Sequence, residues 1–309
     1  IIRFMEINII TPVFNEQKNI NFFYYDFLKV FEKNKDIDFS IFFVDNCSTD
    51  GTRECIKKLI KKDKRINLIP HTRNFGYQAS LISGLNASRA DAYILIDVDG
   101  EDPPELTTQF ISFYKKGYEI VYGERNKRKE MLLFVFLRKL FYRFTRLIAD
   151  WEFVLDMAEF SIISDNVKKK ILDNNSTFPF LRSDFAYVGH KRKKIEYNRK
   201  KRYSGKSNYN IKNMFTFAMT GILTASTFPL RFIVYLSLPL IILNLFFVID
   251  KVKKLEILNF EILLALNLSF FLVSFSFFAI YLSRIYKDII NRPKYVVDDN
   301  QKIINKEKK

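Results

Sequence analysis

Between residues 5 and 125 the chain alternates short apolar runs with longer stretches whose apolar positions recur at helical spacing. The runs are Ile7 to Thr11, Ser40 to Asp45, Ile66 to Ile69, Tyr93 to Asp97 and Glu119 to Tyr122. A run with no polar alternation suits a strand buried on both faces, and a helix between successive strands makes βαβ units. The pattern therefore predicts an α/β domain with a mostly parallel sheet.

Beyond residue 125 the pattern changes. Met131 to Ile148 interleaves Leu133, Phe134, Phe136, Leu137, Phe141 and Phe144 with Arg138, Lys139, Arg143 and Arg146. That spacing predicts a basic amphipathic helix, seated either in a lipid headgroup layer or against a protein core with its basic face solvated. Phe232 to Ile249 and Ile262 to Leu282 contain no charged residue, and each approaches the ~20 residues needed to cross a hydrocarbon core. The short joining stretch, Asp250 to Glu261, predicts a hairpin that returns the chain to its starting side. The expected organisation is an α/β domain over 1–210 with an interfacial helix at 131–149. A juxtamembrane amphipathic segment at 211–230, two transmembrane helices within 231–286 and a basic tail at 287–309 complete it.

Composition sharpens this picture. The chain has 33 Phe and 16 Tyr, with 50 Lys plus Arg against 34 Asp plus Glu, for a net charge of +16. Such a balance suits nucleic acid, an anionic membrane or a phosphorylated substrate. The basic residues cluster beside the apolar segments and not in a base-reading module, which favours membrane and argues against nucleic acid. The basic region before Phe232, and Lys287, Arg292 and Lys294 after the hairpin, place both flanks on the cytoplasmic side. The Ile1 to Ile10 stretch runs into a polar turn too soon for a signal peptide, so the first domain is expected in the cytoplasm. Cys47 and Cys55 form no CxxC pair, and His71 and His190 are far apart in sequence. This argues against a zinc site and makes the histidines loop or surface residues.

Three of the apolar runs end in polar clusters: Thr11 to Glu16, Asp45 to Thr52, and Asp97 to Glu105. Each could simply cap a helix. Three at one sheet edge make a shared crevice the better explanation, because ligands of open α/β sheets bind beyond the carboxyl ends of the strands. In Asp97-Val98-Asp99, residues two apart along an extended chain face the same way, so both carboxylates could meet one ligand. Mg²⁺ is commonly held by one or two carboxylates plus substrate phosphates, and such an ion assists a departing diphosphate.

Taken in order, Pro12-Val13-Phe14-Asn15-Glu16, Val44-Asp45-Asn46-Cys47-Ser48-Thr49-Asp50-Gly51-Thr52, Arg73-Asn74-Phe75-Gly76 and the 97–105 run DVDGEDPPE resemble the polyprenyl-phosphate glycosyltransferases. That family includes dolichyl-phosphate mannose synthase and the bacterial bactoprenol glucosyltransferases. The resemblance continues through Tyr122-Gly123-Glu124-Arg125, the stretch Arg202 to Tyr209, and Phe228-Pro229-Leu230-Arg231, and so covers nearly the whole chain. It implies a GT-A fold and inverting transfer of a sugar from a UDP- or GDP-linked donor to a polyprenyl phosphate. Pro12, Asn15, Glu16 and Asp45 would border the nucleotide, Asp45 as a reader of the base edge. Asp97 and Asp99 would hold the diphosphate and a divalent metal, Mg²⁺ or Mn²⁺. Arg125, Arg138 and Arg202, with Ser207 and Tyr209, would meet phosphates, for which the planar guanidinium fork is suited. Asp99, Arg125 and Glu159 are the catalytic candidates.

Three departures from the family pattern stand out. Asp99-Gly100-Glu101-Asp102 replaces the usual Asp-Leu-Gln-Asp, so Glu101 could be a third metal ligand. Ala158-Glu159-Phe160 replaces Gly-Asp-Phe, which puts Glu159 where an aspartate is often assigned as base. A phosphate with a second pKa near 6 is already a competent nucleophile, so that base is dispensable. Asn46 and Cys47 replace the commoner Asp-Gly. The chain's richness in Lys, Asn, Ile and Phe suggests an AT-rich bacterial genome and hence undecaprenyl phosphate, an inner-membrane location and a role in envelope glycans. Alternatives are transfer to a growing polysaccharide or protein side chain, and a catalytically lapsed scaffold that binds a partner transferase or flippase. The oligomeric state is open, a homo-oligomer included.

Overall fold

A computed structural model describes residues 4–125, 143, 148, 150, 157–174, 176–204, 223, 226–254 and 257–305. The expected interfacial helix and most of the juxtamembrane segment, with Arg138, Ser207 and Tyr209, lie outside the described residues.

The strands are β1 (Met5–Val13), β2 (Ile37–Asp45), β3 (Ile66–Pro70), β4 (Ala92–Leu95), β5 (Ile120–Arg125), β6 (Met157–Ser164) and β7 (Arg192–Tyr197). Among the described residues these seven form one sheet in the order β3-β2-β1-β4-β6-β5-β7. The four strands β3-β2-β1-β4 are parallel, β6 runs antiparallel between β4 and β5, and β7 is parallel to β5. The helices of this region are α1 (Ile20–Lys33), α2 (Thr52–Lys62), α3 (Tyr77–Ala87), α4 (Thr107–Lys115), α5 (Asp165–Leu172) and α6 (Leu181–Val188).

The unbroken apolar runs follow from two cores, one on each face of the sheet. Ile9 and Phe43 join the core that holds Phe23, Phe27 and Phe110. Their chain neighbours Ile10 and Phe42 turn to the opposite core, with Leu81, Leu85 and Phe185. Successive strand residues point to opposite faces, and here both faces are covered. Helix α3 lies so close to the sheet that a Cβ on Gly84 would stand 2.3 Å from Ile10 Cγ2 and 2.9 Å from Val44 Cγ2.

Two strands were not expected from the sequence. β6 is buried along its whole length, and it follows a region whose pattern had switched to helical. β7 reads Arg-Lys-Lys-Ile-Glu-Tyr and carries no apolar run, because it is an edge strand for which charge is protective. The expected strand over Tyr93 to Asp97 ends at Leu95, and the chain turns at Val98 and Asp99.

Helices α7 (Phe228–Val252) and α8 (Phe260–Ile290) are 25 and 31 residues long, about 38 and 47 Å at 1.5 Å per residue. Both are long and apolar enough to cross a membrane, and their apolar side chains lie on the surface. They pair through a reciprocal amide contact: Asn244 Nδ2 donates to Asn267 Oδ1 at 3.0 Å, and Asn267 Nδ2 to Asn244 Oδ1 at 3.1 Å. Buried Asp250 closes the joining turn by accepting from the amides of Ile257 and Leu258.

After α8 the chain returns to the sheet. The amides of Leu68 and Ile303 exchange bonds with each other's carbonyls at 2.8 and 3.0 Å, and Asp298 N donates to Pro70 O at 2.8 Å. Thr72 N donates to Val296 O at 3.0 Å. The segment expected as a basic tail thus includes a strap, 295–305, laid along edge strand β3.

Candidate active site

The polar clusters after β1, β2 and β4 meet at the carboxyl edge of adjacent parallel strands. The first two are laced together. Asn15, at φ +57°, donates its amide to Ser48 Oγ at 3.0 Å and accepts from Thr49 N at 2.8 Å. Glu16 N donates to Thr52 Oγ1 at 2.9 Å, and burial raises the pKa of the Glu16 carboxyl. Pro12 pairs in register with Val44 one residue before. Asp45, fully buried, accepts from Ser48 N at 2.9 Å and from Arg53 Nε at 2.7 Å. Cys47 sits at φ +64°, the left-handed region that glycine enters without strain. This is the physical reason for glycine as the commoner residue there.

Asn46 and His71 correct one expectation. His71 is buried, not a loop or surface residue. Its Nδ1 lies 3.2 Å from Asn46 Oδ1, which also accepts from Phe75 N, while Asn46 Nδ2 donates to Asn74 Oδ1 at 2.8 Å. Burial lowers the His71 pKa to about 4, so the ring is neutral at physiological pH.

The third cluster holds the carboxylates. Asp97 accepts from Tyr77 Oη at 2.7 Å. Asp99 accepts from Glu101 N at 2.9 Å and pairs with Arg202 Nη2 at 2.8 Å. Burial raises the pKa of both acids, and Asp102 and Asp99 push Asp97 up further. Glu101 pairs with Arg199 Nη1 at 2.6 Å and with Arg202 Nε at 3.4 Å. Asp99 and Glu101 thus share Arg202 while Asp97 turns to Tyr77, and among the described residues no three acidic, cysteine or histidine side chains are arranged around a common metal position.

Segment 199–203 lies against this turn. Lys200 N and Tyr203 N donate to the carbonyls of Glu101 and Asp99 at 2.8 and 3.0 Å. The Tyr203 ring covers Gly100, where a Cβ would come within 2.2 Å of it. Gly100 has φ +77°, so glycine is required there by both conformation and space.

Arg125, at the end of β5, donates Nε to Tyr197 Oη at 3.1 Å and pairs with buried Asp102 at 3.2 Å. Burial opposes its charge, but Asp102 and Tyr197 outweigh that and hold the guanidinium protonated. Glu159 on β6 pairs with Arg182 of α6 through both its oxygens, Nε standing 2.8 Å from Oε1, and Gln78 Nε2 donates to the same Oε1 at 3.2 Å. Burial raises the Glu159 pKa, yet Arg182 and then Arg125 bring it below the ordinary value, so it is ionised at neutral pH.

The fold thus gathers Asp97, Asp99, Glu101, Arg125, Glu159 and Arg202, which the sequence distributes over more than a hundred positions. It adds Tyr77, Gln78, Asp102, Arg182, Tyr197 and Arg199, to which sequence reasoning assigned no role. Tyr77 and Gln78 directly follow the Arg73 to Gly76 motif and Asp102 lies inside the DVDGEDPPE run, so proximity to a motif was the available signal. Arg182 carried none.

Residues 8–185 match the model of Glycosyl transferase family 2. An uncharacterized glycosyltransferase, YkcC, of Bacillus subtilis (strain 168) is 30% identical, with 98% of this chain and 97% of that protein aligned. The SfII prophage-derived bactoprenol glucosyl transferase of Shigella flexneri is 29% identical over 95% of this chain and 97% of its own. Among solved structures, S. aureus TarS 1-349 in complex with UDP-GlcNAc superposes with a TM-score of 0.50 at 17% identity, covering 71% of this chain and 65% of that one. At that identity the likeness speaks for the fold alone. The matched family region, the near full-length relatives and the sheet with its carboxyl-edge crevice agree: this chain belongs to glycosyl transferase family 2 and is a glycosyltransferase with a GT-A fold.

Proposed function

We propose that the protein transfers a sugar, with inversion, from a UDP- or GDP-linked donor to a polyprenyl phosphate at a membrane surface. The observation that carries this reading is one crevice in which half-buried Asp97 and buried Asp99 meet Arg125 and Arg202, with Arg182 on neighbouring Glu159, on a chain that continues into two apolar helices. Relatives named as bactoprenol glucosyl transferases support the same acceptor class.

The donor's nucleotide would lie along the laced loops of Pro12, Asn15, Glu16 and Asp45. Asp97 and Asp99 fit a divalent cation, because two carboxylates whose pKa values rise through burial and through neighbouring acids, Asp102 beside both, have negative charge to be neutralised. When bound with the diphosphate, such an ion supplies charge neutralisation at the leaving group. Arg202 would exchange its carboxylate for a phosphate, and Glu101 keeps Arg199 beside it. A phosphate oxygen of the acceptor attacks the anomeric carbon as the bond to the nucleoside diphosphate breaks on the opposite face. Glu159, ionised and bonded to Arg182 and Gln78, orients these groups more than it accepts protons.

The membrane part of the proposal is that α7 and α8 span the bilayer, with the catalytic domain and strap together on the cytoplasmic side. The strap's bonds to β3 return the chain to the domain from which α7 departs, as a two-helix hairpin requires. An acceptor held in lipid then meets the site by local encounter.

The full-length protein in nanodiscs, given undecaprenyl phosphate, Mg²⁺ and labelled UDP- and GDP-sugars, is expected to yield organic-extractable label. Folded protein that gives no labelled lipid with any donor would end this reading. The occupation of Asp99 and Glu101 by Arg199 and Arg202 favours one rival, a nucleotide-sugar-binding scaffold without turnover. Calorimetric donor binding in the absence of product would support it.

A further inference from the structure

The strap after α8 does more than cover the β3 edge, because Gln301 within it bonds Arg53, the partner of Asp45. Asp45 Oδ2 is held by Arg53 Nε at 2.7 Å. Arg53 Nη1 in turn donates to Gln301 Oε1 at 3.1 Å, an oxygen that also accepts from Lys57 Nζ at 3.2 Å. Gln301 is fixed within the strap, its amide and Nε2 donating to Asp298 O and Oδ2 at 3.1 and 3.0 Å. Asp298 N is anchored on Pro70 O at the end of β3. A continuous bonded chain therefore runs from the strap through Gln301 and Arg53 to Asp45.

The neighbouring position is backed from the same segment. The Tyr295 ring stacks on His71 at 5.6 Å and 13°, and His71 bonds the side chain of Asn46. Two adjacent residues at the nucleotide end of the crevice thus depend on the strap for their orientation. Asp45 is fully buried, so it acts by fixing the loop that follows it: its Oδ1 accepts from Ser48 N at 2.9 Å, and Ser48 Oγ accepts from Asn15 N at 3.0 Å.

We propose that Gln301, acting through Arg53, is a positioning residue for the nucleotide subsite, and that the post-hairpin strap belongs to that subsite. Asp45, oriented in this way, holds Ser48 against Asn15, and the nucleotide lies along that pair of loops. The proposal rests on the transferase reading above, in which Asp45 borders the nucleotide. It adds that nucleotide affinity depends on a segment separated from the family-matched region by both long helices.

The test is calorimetry on the full-length protein in detergent, with Mg²⁺ and three probes: UDP, GDP and pyrophosphate. Gln301→Ala is expected to weaken the preferred nucleoside diphosphate by about three- to ten-fold, the value of one hydrogen bond, and to leave pyrophosphate unchanged. The double variant Gln301→Glu, Asp298→Asn keeps an acceptor opposite Arg53 and a donor across the bond within the strap, and is expected to bind as the unaltered protein does. In turnover, Gln301→Ala should raise the donor KM at constant kcat. Unchanged nucleoside diphosphate binding by Gln301→Ala, or an equal loss of pyrophosphate, would overturn the proposal. If the unaltered protein binds pyrophosphate but neither UDP nor GDP, the nucleotide reading itself falls and the proposal with it.

Discussion

At the scale of single residues, Asp99 and Glu159 are both buried acids, and the structure gives them opposite characters. Asp99 has its pKa raised by burial, whereas Glu159 has its lowered by Arg182 and Arg125. Asp99→Asn removes charge that the diphosphate site needs, and turnover should fall at least about 100-fold with circular dichroism unchanged. Glu159→Gln instead leaves Arg182 without its bidentate carboxylate. Breaking a buried pair from one side costs about 3 kcal/mol, so a clear drop in melting temperature is expected, with a smaller loss of turnover than for Asp99→Asn. His71 sets a pH dependence. Its pKa is about 4 in the folded chain, against 6.5 when exposed, so the unfolded state binds the extra proton as pH falls. The neutral ring's share of stability is complete above pH 6.5 and is lost progressively toward pH 4, amounting to roughly 3 kcal/mol. Melting curves from pH 7.5 to 4.5 should be less steep in pH for His71→Gln than for the unaltered chain.

At the scale of elements, the strands and their polar ends were legible because burial on both faces removes alternation, leaving runs such as Ile66 to Ile69 that few other structures explain. β7 was not legible: an edge strand carrying Arg192, Lys193 and Lys194 has the composition of a solvated loop, and its pairing with β5 is a long-range fact. The 97–105 run was readable as a site but not in its geometry. Asp97 and Asp99 leave the strand before they act, and each turns to a partner, Tyr77 or Arg202, that is distant in sequence. Close packing of α3 on β1 and β2 was equally invisible, since one glycine in a helix announces no neighbour. Gly84→Ala drives a Cβ into Ile10 and Val44, and such overpacking should lower stability by about 1–3 kcal/mol, read as a shift in the chemical denaturation midpoint.

At the scale of the whole molecule, the hairpin and strap join the crevice to the two apolar helices. The Asn244 and Asn267 amides fix how α7 registers on α8. Each single Asn→Leu change should destabilise the hairpin by about 0.6–2 kcal/mol. The double change should cost less than the sum of the two, because neither amide is then left without its partner. Unfolding in mixed micelles, monitored by distance labels on the two helices, would give the three values.

The sequence by itself determined the class of fold, the position of the carboxyl-edge crevice and the two long apolar helices. These follow from local regularities: period-free apolar runs, helix-capping clusters and unbroken apolar length. Only the tertiary structure decided which side chains share the crevice. Glu159 meets Arg182, Arg125 meets Asp102, and Gln301 reaches Arg53 across 248 positions. Charges and amides of this kind are chemically interchangeable along a chain, and their partners are chosen by which strands and segments packing brings within hydrogen-bond reach.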